Sequence, residues 1–240
     1  MTNSTLERST ALVREVPIPI DGRLLAGDLN VPAAAKGIVL FAHGSGSSRH
    51  SARNRFVAER MRDAGLGTLL FDLLTPAEEL IDLRTRHLRF DIRLLASRLV
   101  AATRAVSEWP ETSVLRVGYF GSSTGAAAAI VAGAELHDEI GAIVSRGGRP
   151  DLAGSALPRV TAPTLLIVGG WDVPVIGLNE DAFELMRCER ELAIVPRATH
   201  LFEEPGKLGE VAELAAGWFV RHLTGKTVGK AAAGEHFTND

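Results

Sequence analysis

The chain has 240 residues, of which 46% are hydrophobic and 23% are charged, a balance typical of a folded globular protein and unlike that of a disordered chain. Its net charge is -3, and because no block of five or more basic residues occurs, we expect no nucleic-acid partner. The sequence has no secretory pattern, no apolar window of about 18 residues and only one cysteine, Cys188, so it predicts a cytoplasmic protein without a membrane partner or a disulfide framework.

The first predicted element is an antiparallel hairpin. Two extended segments, residues 15–20 and 24–30, flank the pair Asp21 and Gly22. An Asp-Gly pair between extended segments favours a tight turn, so we expect this hairpin to open the sheet.

Short apolar runs and stripes of helical period alternate through the rest of the chain. The predicted buried strands are residues 37–42, 67–72, 114–120, 140–145, 164–169 and 192–196. The predicted helical stripes are residues 57–64, 88–102, 178–185 and 208–219. Continuous apolar strands alternating with helices are typical of a mostly parallel sheet covered on both faces, and this places the chain in the α/β class.

The chain is predicted to form one domain. No repeat of 20 to 50 residues and no Pro- or Ser-rich linker divides it, so we assign residues 1–224 to a single domain. Residues 225–240 lose the apolar periodicity and are expected to form a flexible C-terminal tail.

The strongest motif is G-x-S-x-G at residues 121–125, with Ser123 at its centre. It follows a predicted strand and precedes an alanine-rich helix, which is the context of a nucleophile elbow. The bend would exclude side chains at Gly121 and Gly125. The alternative is an ordinary Gly/Ser turn, and the strand–turn–helix context favours the nucleophile.

Two further residues complete a candidate triad in the order Ser, acid, His. Asp172 follows one predicted buried strand and His200 follows the next, so both are expected at the carboxyl edge of the sheet. Asp172 could instead cap a helix, with Asp151 and Glu180 as spare acids, and His200 could be an ordinary surface or core histidine. The order and placement of the three residue types favour the triad.

The loop after the first parallel strand is expected to supply part of an oxyanion hole. Residues 43–47, His-Gly-Ser-Gly-Ser, place the backbone N–H of Ser45 near the elbow, and Thr124, the residue after the nucleophile, supplies the second N–H. His43 is expected to be structural and to brace this loop through its ring nitrogens.

Three residues are candidates for substrate binding. Arg146 could bind a substrate carboxylate, pair with Asp151 or face water; Trp171 could wall the pocket or simply pack; Arg49 could touch substrate or be solvated. Residues 72–91 are expected to form a rim of the pocket.

The sequence predicts neither a metal site nor a cofactor. It contains no H-E-x-x-H pair and has too few cysteines for a metal-ligand spacing. Its glycine-rich segments match neither G-x-G-x-x-G nor a phosphate loop ending in Gly-Lys-Ser/Thr.

The segments HGSGS, GYFGSSTGAAAA, GGWD and ATH, in this order, resemble the α/β-hydrolase superfamily and are nearest its small dienelactone-hydrolase-like branch. The resemblance covers about residues 15–223 and implies an eight-stranded, largely parallel sheet, with the triad carried onto Ser123, Asp172 and His200. Dienelactone hydrolases proper have cysteine at the elbow where this chain has Ser123. Residues 140–164 leave no room for a large cap domain, so we expect an open site.

The chain is also similar to a bacterial hydrolase module that is sometimes fused to a phosphoribosyltransferase domain, and we expect no such second domain here. The predicted function is hydrolysis of a carboxylic ester, or of a related acyl or lactone substrate, through an acyl-enzyme. The expected partner is a small acyl compound. Acyl transfer, including transfer to peroxide, and a non-catalytic binding module are the alternatives. The sequence leaves the oligomeric state open, with a homo-oligomer as one option.

Overall fold

The structure is a computed structural model, and it describes residues 11–224. The predicted tail, residues 225–240, lies outside the described residues.

The chain begins its described part with the predicted hairpin. Strands β1, Leu12–Ile20, and β2, Arg23–Val31, pair in antiparallel register from Leu12 opposite Val31 to Ile20 opposite Arg23. Asp21 and Gly22 have φ of 45° and 72°, the left-handed conformation that a two-residue hairpin turn of this type requires at both positions. The hairpin prediction is confirmed.

Six further strands complete one sheet of eight. They are β3 Ile38–Ala42, β4 Gly67–Phe71, β5 Val117–Ser122, β6 Ile140–Arg146, β7 Thr164–Gly169 and β8 Arg190–Val195. The strand order is β1-β2-β4-β3-β5-β6-β7-β8, and every pairing from β4 to β8 is parallel. Every residue of β3 to β7 is buried, as strands covered on both faces require. The α/β class and the mostly parallel sheet are confirmed.

Helices cover both faces of this sheet. They are α1 Ala52–Asp63, α2 Pro76–Thr85, α3 Ile92–Glu108, α4 Thr124–Leu136, α5 Val173–Leu185 and α6 Lys207–Leu223. One apolar core lies between the sheet and helices α3, α4 and α5, and a second lies between the sheet and helices α1 and α6. The chain from β6 to β7 contains only a short 3-10 stretch, Pro150–Arg159, so the described residues form no cap domain at that position.

Several predicted boundaries differ from the structure by one or more residues, and the contacts explain two of them. Strand β5 begins at Val117 rather than at residue 114, because the Thr112 hydroxyl donates to the Val106 carbonyl and closes a turn that leaves Val114 75% exposed. Leu88 lies in a separate 3-10 turn, Leu88–Phe90, because α3 starts only after Asp91 has capped it through the backbone N–H of Leu94.

Within residues 11–224, no helix combines the length and the apolar character needed to cross a membrane.

Candidate active site

Ser123 occupies a sharp bend between β5 and α4. Its backbone has φ 51° and ψ -120°, a conformation that costs a non-glycine residue free energy and persists only where the surroundings impose it. Two contacts impose it: the Ser123 N–H donates to the Arg146 carbonyl at 3.3 Å, and the Ser123 carbonyl accepts from the Arg149 N–H at 3.1 Å. The side chain is therefore carried on a rigid turn at the carboxyl edge of the sheet.

The two glycines of the motif are required by close backbone contacts. A Cβ atom at Gly121 would lie 2.4 Å from the Cα of Ala126, and one at Gly125 would lie 2.2 Å from the carbonyl oxygen of Ala42. Real Cβ atoms essentially never approach that closely, so both positions exclude a side chain. The predicted steric role of these glycines is confirmed.

Asp172 and His200 lie in direct contact. The Nδ1 atom of His200 is 2.7 Å from Oδ2 of Asp172, and the carboxylate is mostly buried. Asp172 precedes α5 but makes no side-chain capping hydrogen bond, so the structure does not support the helix-cap alternative. The spare acid Asp151 instead binds Arg149 through two hydrogen bonds, of 2.8 and 2.9 Å.

The loops that carry Asp172 and His200 are joined to each other. The Trp171 N–H donates to the Ala198 carbonyl at 2.9 Å, and Gly169 packs so closely on this loop that a Cβ there would lie 2.3 Å from the same oxygen. Both carboxylate oxygens of Glu204 accept from the Thr199 N–H at 3.1 Å, which closes the turn around the imidazole. The carboxylate and the imidazole are thus fixed relative to one another.

The end of β6 connects Ser123 to His200. No hydrogen bond in the described part of the chain joins the Ser123 hydroxyl to His200. A Cβ atom at Gly147 would lie 3.5 Å from His200 Nδ1, and the preceding residue, Arg146, accepts the Ser123 N–H through its carbonyl oxygen. Adjacent residues of one turn therefore contact the nucleophile candidate and the histidine.

The predicted oxyanion residues meet beside Ser123. A Cβ at Gly44 would lie 3.2 Å from the Cβ of Ser123, and the hydroxyls of Ser45 and Thr124 lie 3.0 Å apart. In the hydrogen bonds of residues 11–224 outside helices and strands, the backbone N–H groups of Ser45 and Thr124 donate to no acceptor. Two free amides beside a serine are the arrangement that can bind a developing oxyanion.

His43 braces this loop, as the sequence predicted. Its Nε2 accepts the N–H of Leu73 at 3.1 Å, which leaves the proton on Nδ1, 3.0 Å from the carbonyl oxygen of Gly44. Burial lowers the pKa of His43 below its usual value, so the ring is neutral at pH 7.

Arg49 forms ion pairs with acidic residues of the protein itself. Its guanidinium forms an ion pair with Asp72 and lies 3.4 Å from Asp28, and its backbone N–H donates to Asp72 at 2.8 Å. These contacts tie the far end of the loop formed by residues 43–51, called the oxyanion loop below after its predicted role, to the sheet. The structure therefore gives Arg49 an internal partner in place of the predicted substrate contact.

Arg146 is also directed inward. It is only 5% exposed, and its Nη2 donates to the Ser122 hydroxyl at 3.0 Å and to the side-chain oxygen of Asn54 at 3.3 Å. Two of its predicted alternatives, pairing with Asp151 and facing water, are wrong, and its burial does not support contact with a substrate carboxylate. Trp171, in contrast, is 58% exposed beside Asp172, so simple packing in the core does not describe it.

Sequence reasoning missed several residues that support the site. Asn54 is a buried polar residue inside α1, and Gly147 and Glu204 contact the histidine loop. No local signal marks them, because their partners are distant in sequence. The predicted rim, residues 72–91, contains helix α2, and its Arg89 carbonyl accepts the Ser45 hydroxyl at 3.3 Å.

No cluster of three or more metal-ligating side chains is found within residues 11–224. Cys188 is half-buried, and burial raises the pKa of its thiol above the usual value, which disfavours the reactive thiolate.

A serine on a strained turn between a buried parallel strand and a helix, within this eight-stranded sheet, defines a protein of the α/β-hydrolase class. The comparisons with known proteins agree. A dienelactone hydrolase from Anabaena variabilis is 61% identical in sequence, with a TM-score of 0.87 over 89% of this chain and 99% of that one. The chain belongs to the dienelactone-hydrolase-like branch of the α/β-hydrolase superfamily.

Two further comparisons show less: one shows only the same fold, and the other matches part of a longer protein. Est1E from Butyrivibrio proteoclasticus is 15% identical with a TM-score of 0.73, over 87% of this chain and 98% of that one, and shows the fold alone. A Mycobacterium tuberculosis protein named "Putative phosphoribosyl transferase" is 57% identical over 209 residues, 87% of this chain. The chain spans about 45% of the length of that relative. No family model matches the chain.

Proposed function

We propose that this chain is a serine hydrolase that cleaves a carboxylic ester, or a related acyl or lactone substrate, through an acyl-enzyme. The observation that carries the proposal is the strained backbone of Ser123 at the end of β5. The turn that holds Ser123 also contacts His200, and His200 forms a hydrogen bond with Asp172. A serine hydroxyl is a weak nucleophile at neutral pH and needs such a base and such an orienting acid.

In the proposed first step, Ser123 Oγ attacks the substrate carbonyl carbon while His200 Nε2 takes the hydroxyl proton. Asp172 accepts a hydrogen bond from the Nδ1–H of His200, which keeps Nε2 unprotonated in the resting state and stabilises the imidazolium that forms. The contact between Ser123 and His200 would tighten once substrate is bound, because catalytic hydrogen bonds are often long without it.

The carbonyl oxygen of the substrate gains negative charge in this step. The backbone N–H groups of Ser45 and Thr124 would donate to it, and one such donor is typically worth about 2.7 to 4 kcal/mol of transition-state stabilisation. The tetrahedral species then expels the alcohol, which takes the proton from His200, and the acyl group stays on Ser123.

Water completes the cycle by attack on the acyl-enzyme, with His200 again as the base. The His200 side chain is 38% exposed, so water has access to the base, and this favours hydrolysis over transfer to another acceptor. The match to the mycobacterial relative leaves more than half of that protein uncovered, and the serine geometry favours acyl chemistry rather than phosphoribosyl transfer for the matched part.

We expect the purified chain to hydrolyse p-nitrophenyl acetate and to react with a fluorophosphonate probe. Ser123→Ala should lower kcat/KM by about 10⁴-fold or more and abolish labelling, because no other group replaces the attacking oxygen. Ser155→Ala, which changes an exposed serine in the 3-10 stretch, is the matched control and should retain the wild-type rate.

Two results would contradict the proposal. Hydrolysis that survives in Ser123→Ala would place the chemistry elsewhere. A wild-type protein that neither hydrolyses esters nor reacts with the probe would indicate a binding module.

A further inference from the structure

Two arginines are buried within residues 11–224, and only one of them has a carboxylate partner. Arg98 is 3% exposed, and its Nη2 lies 2.7 Å from Oε1 of Glu78. Arg146 is 5% exposed, and its hydrogen-bond partners, Ser122 and Asn54, are both neutral. No carboxylate of the described residues lies within ion-pair distance of Arg146.

A buried charge without a counter-charge lowers the stability of a fold. Burial, with a smaller effect from the nearby positive charge of Arg53, lowers the pKa of Arg146 to about 10, so the group is still cationic at neutral pH. Its Nε atom is buried without a hydrogen-bond partner. Two neutral oxygens solvate the guanidinium only in part, so these hydrogen bonds alone do not offset the burial of its charge.

The position of this cation offers an explanation. Arg146 is the last residue of β6 and lies opposite Ser122, the last residue of β5. Its carbonyl accepts the Ser123 N–H at 3.3 Å, and its guanidinium donates to the Ser122 hydroxyl. In the proposed reaction the Ser123 proton moves to His200, so a negative oxygen forms at this elbow and a positive imidazolium forms at His200. A fixed positive charge in a poorly solvated position favours that negative oxygen over the neutral reactants.

We propose that Arg146 is a positioning residue for the turn that carries Ser123. Its hydrogen bond to Ser122 fixes this turn, and its unpaired positive charge favours the negative oxygen that forms at Ser123 in the transition state. This inference rests on the proposed serine-hydrolase function. Arg146 touches no reacting atom, so it acts through the elbow and through its electric field.

The test compares a neutral and a cationic replacement. Arg146→Gln keeps a polar but shorter side chain and removes the charge, and it should lower kcat for p-nitrophenyl acetate by about tenfold, with KM within about twofold. Its melting temperature should equal or exceed that of the wild type, because an unpaired buried charge is removed. Arg146→Lys restores the charge only while its buried ammonium is protonated, so its kcat relative to that of Arg146→Gln should be higher at pH 6.5 than at pH 9.

Arg116→Gln is the matched control. Arg116 donates to the His222 carbonyl near the amino end of β5, away from Ser123, so this substitution should leave kcat unchanged. The proposal is overturned if Arg146→Gln keeps the wild-type kcat, if Arg146→Lys is as slow as Arg146→Gln at every pH from 6.5 to 9, or if kcat and melting temperature fall together in Arg146→Gln. If Arg146→Gln does not fold, Arg146→Met takes its place with the same expected outcome, and failure of both to fold overturns the proposal because the charge is then structural. Failure of the serine-hydrolase function itself has a different signature, since the wild type would then show neither hydrolysis nor probe labelling.

Discussion

His43 illustrates how one buried side chain links loop geometry to pH. The ring must be neutral to accept the Leu73 N–H, and its burial favours the neutral form. Protonation would remove that acceptor and place a charge beneath the oxyanion loop. The stability of this loop is therefore tied to the titration of His43.

We expect stability to fall as the pH drops below about 6.5. The pKa of His43 is lowered in the folded state, so between the folded and unfolded pKa values the unfolded chain binds more protons, and protons favour unfolding in that range. Burial lowers the pKa of His222 as well and adds to the same trend. Melting temperatures between pH 5 and pH 7.5 measure it.

His43→Gln is the informative variant for this prediction, because a glutamine oxygen can accept the Leu73 N–H but does not titrate. Its melting temperature should depend less on pH below 6.5 than that of the wild type. An equally steep dependence in this variant would assign the effect to other groups.

The contact between Asp172 and His200 was predictable from the sequence, whereas the environment of the arginines was not. Asp172 and His200 follow strands that can be recognised from their own apolar runs, so their meeting at one edge is predictable. The partners of Arg146 and Arg49, such as Asn54 and Asp72, come from other parts of the chain and become neighbours only in the folded sheet.

At the scale of secondary structure, the turn of residues 121–125 depends on close contact between the start of α4 and the end of β3. Gly125→Ala should place a methyl group 2.2 Å from the Ala42 carbonyl oxygen and destabilise the fold by about 3 kcal/mol, because both contacting groups are backbone. The matched control is Gly177→Ala within α5, where no atom lies within 4 Å of the added carbon. This control should stabilise the protein by roughly 0.5 to 1 kcal/mol. Urea unfolding of both variants checks the pair, and equal stabilities would contradict the close contact.

Helix α2 shows why one element escaped prediction. Its buried residues are the acidic Glu78 and Asp82, which pair with Arg98 and Arg89, whereas its leucines face solvent. Recognition of helices by apolar periodicity assumes that the apolar side is buried. The capping box of Thr75 and Glu78 was present in the sequence and would have marked the start of this helix.

At the scale of the whole molecule, several exposed apolar side chains lie on segments next to the candidate site residues. Eight of the fifteen large exposed apolar side chains lie on the segment 72–91 or on the first parts of the segments that follow β6, β7 and β8. They are Leu80, Ile81, Leu83, Phe90, Leu152, Trp171, Val173 and Leu201. Phe90 follows Arg89, which contacts Ser45, and Trp171 precedes Asp172, so these two apolar side chains lie near the proposed site and would favour apolar substituents on a substrate.

We therefore expect kcat/KM to rise with acyl length from p-nitrophenyl acetate to the hexanoate, by about two- to fourfold per added CH₂ group. Phe90→Ser and Trp171→Ser should reduce this dependence more than they reduce the rate with acetate. Val114→Ser, which changes a side chain 75% exposed away from the proposed site, is the control and should leave the series unchanged. A flat series in the wild type would show that these apolar side chains do not contact the acyl chain.

The parts of the site lie far apart along the chain, and this has a consequence for protein synthesis. Ser123 leaves the ribosome well before β8 and the turn that carries His200, so a nascent chain has its alcohol group in place but lacks the base that would activate it. Reactivity toward esters should therefore arise only when the last parallel strand docks on the sheet edge. The proposed ester hydrolysis should therefore be absent from the growing polypeptide until its folding is nearly complete.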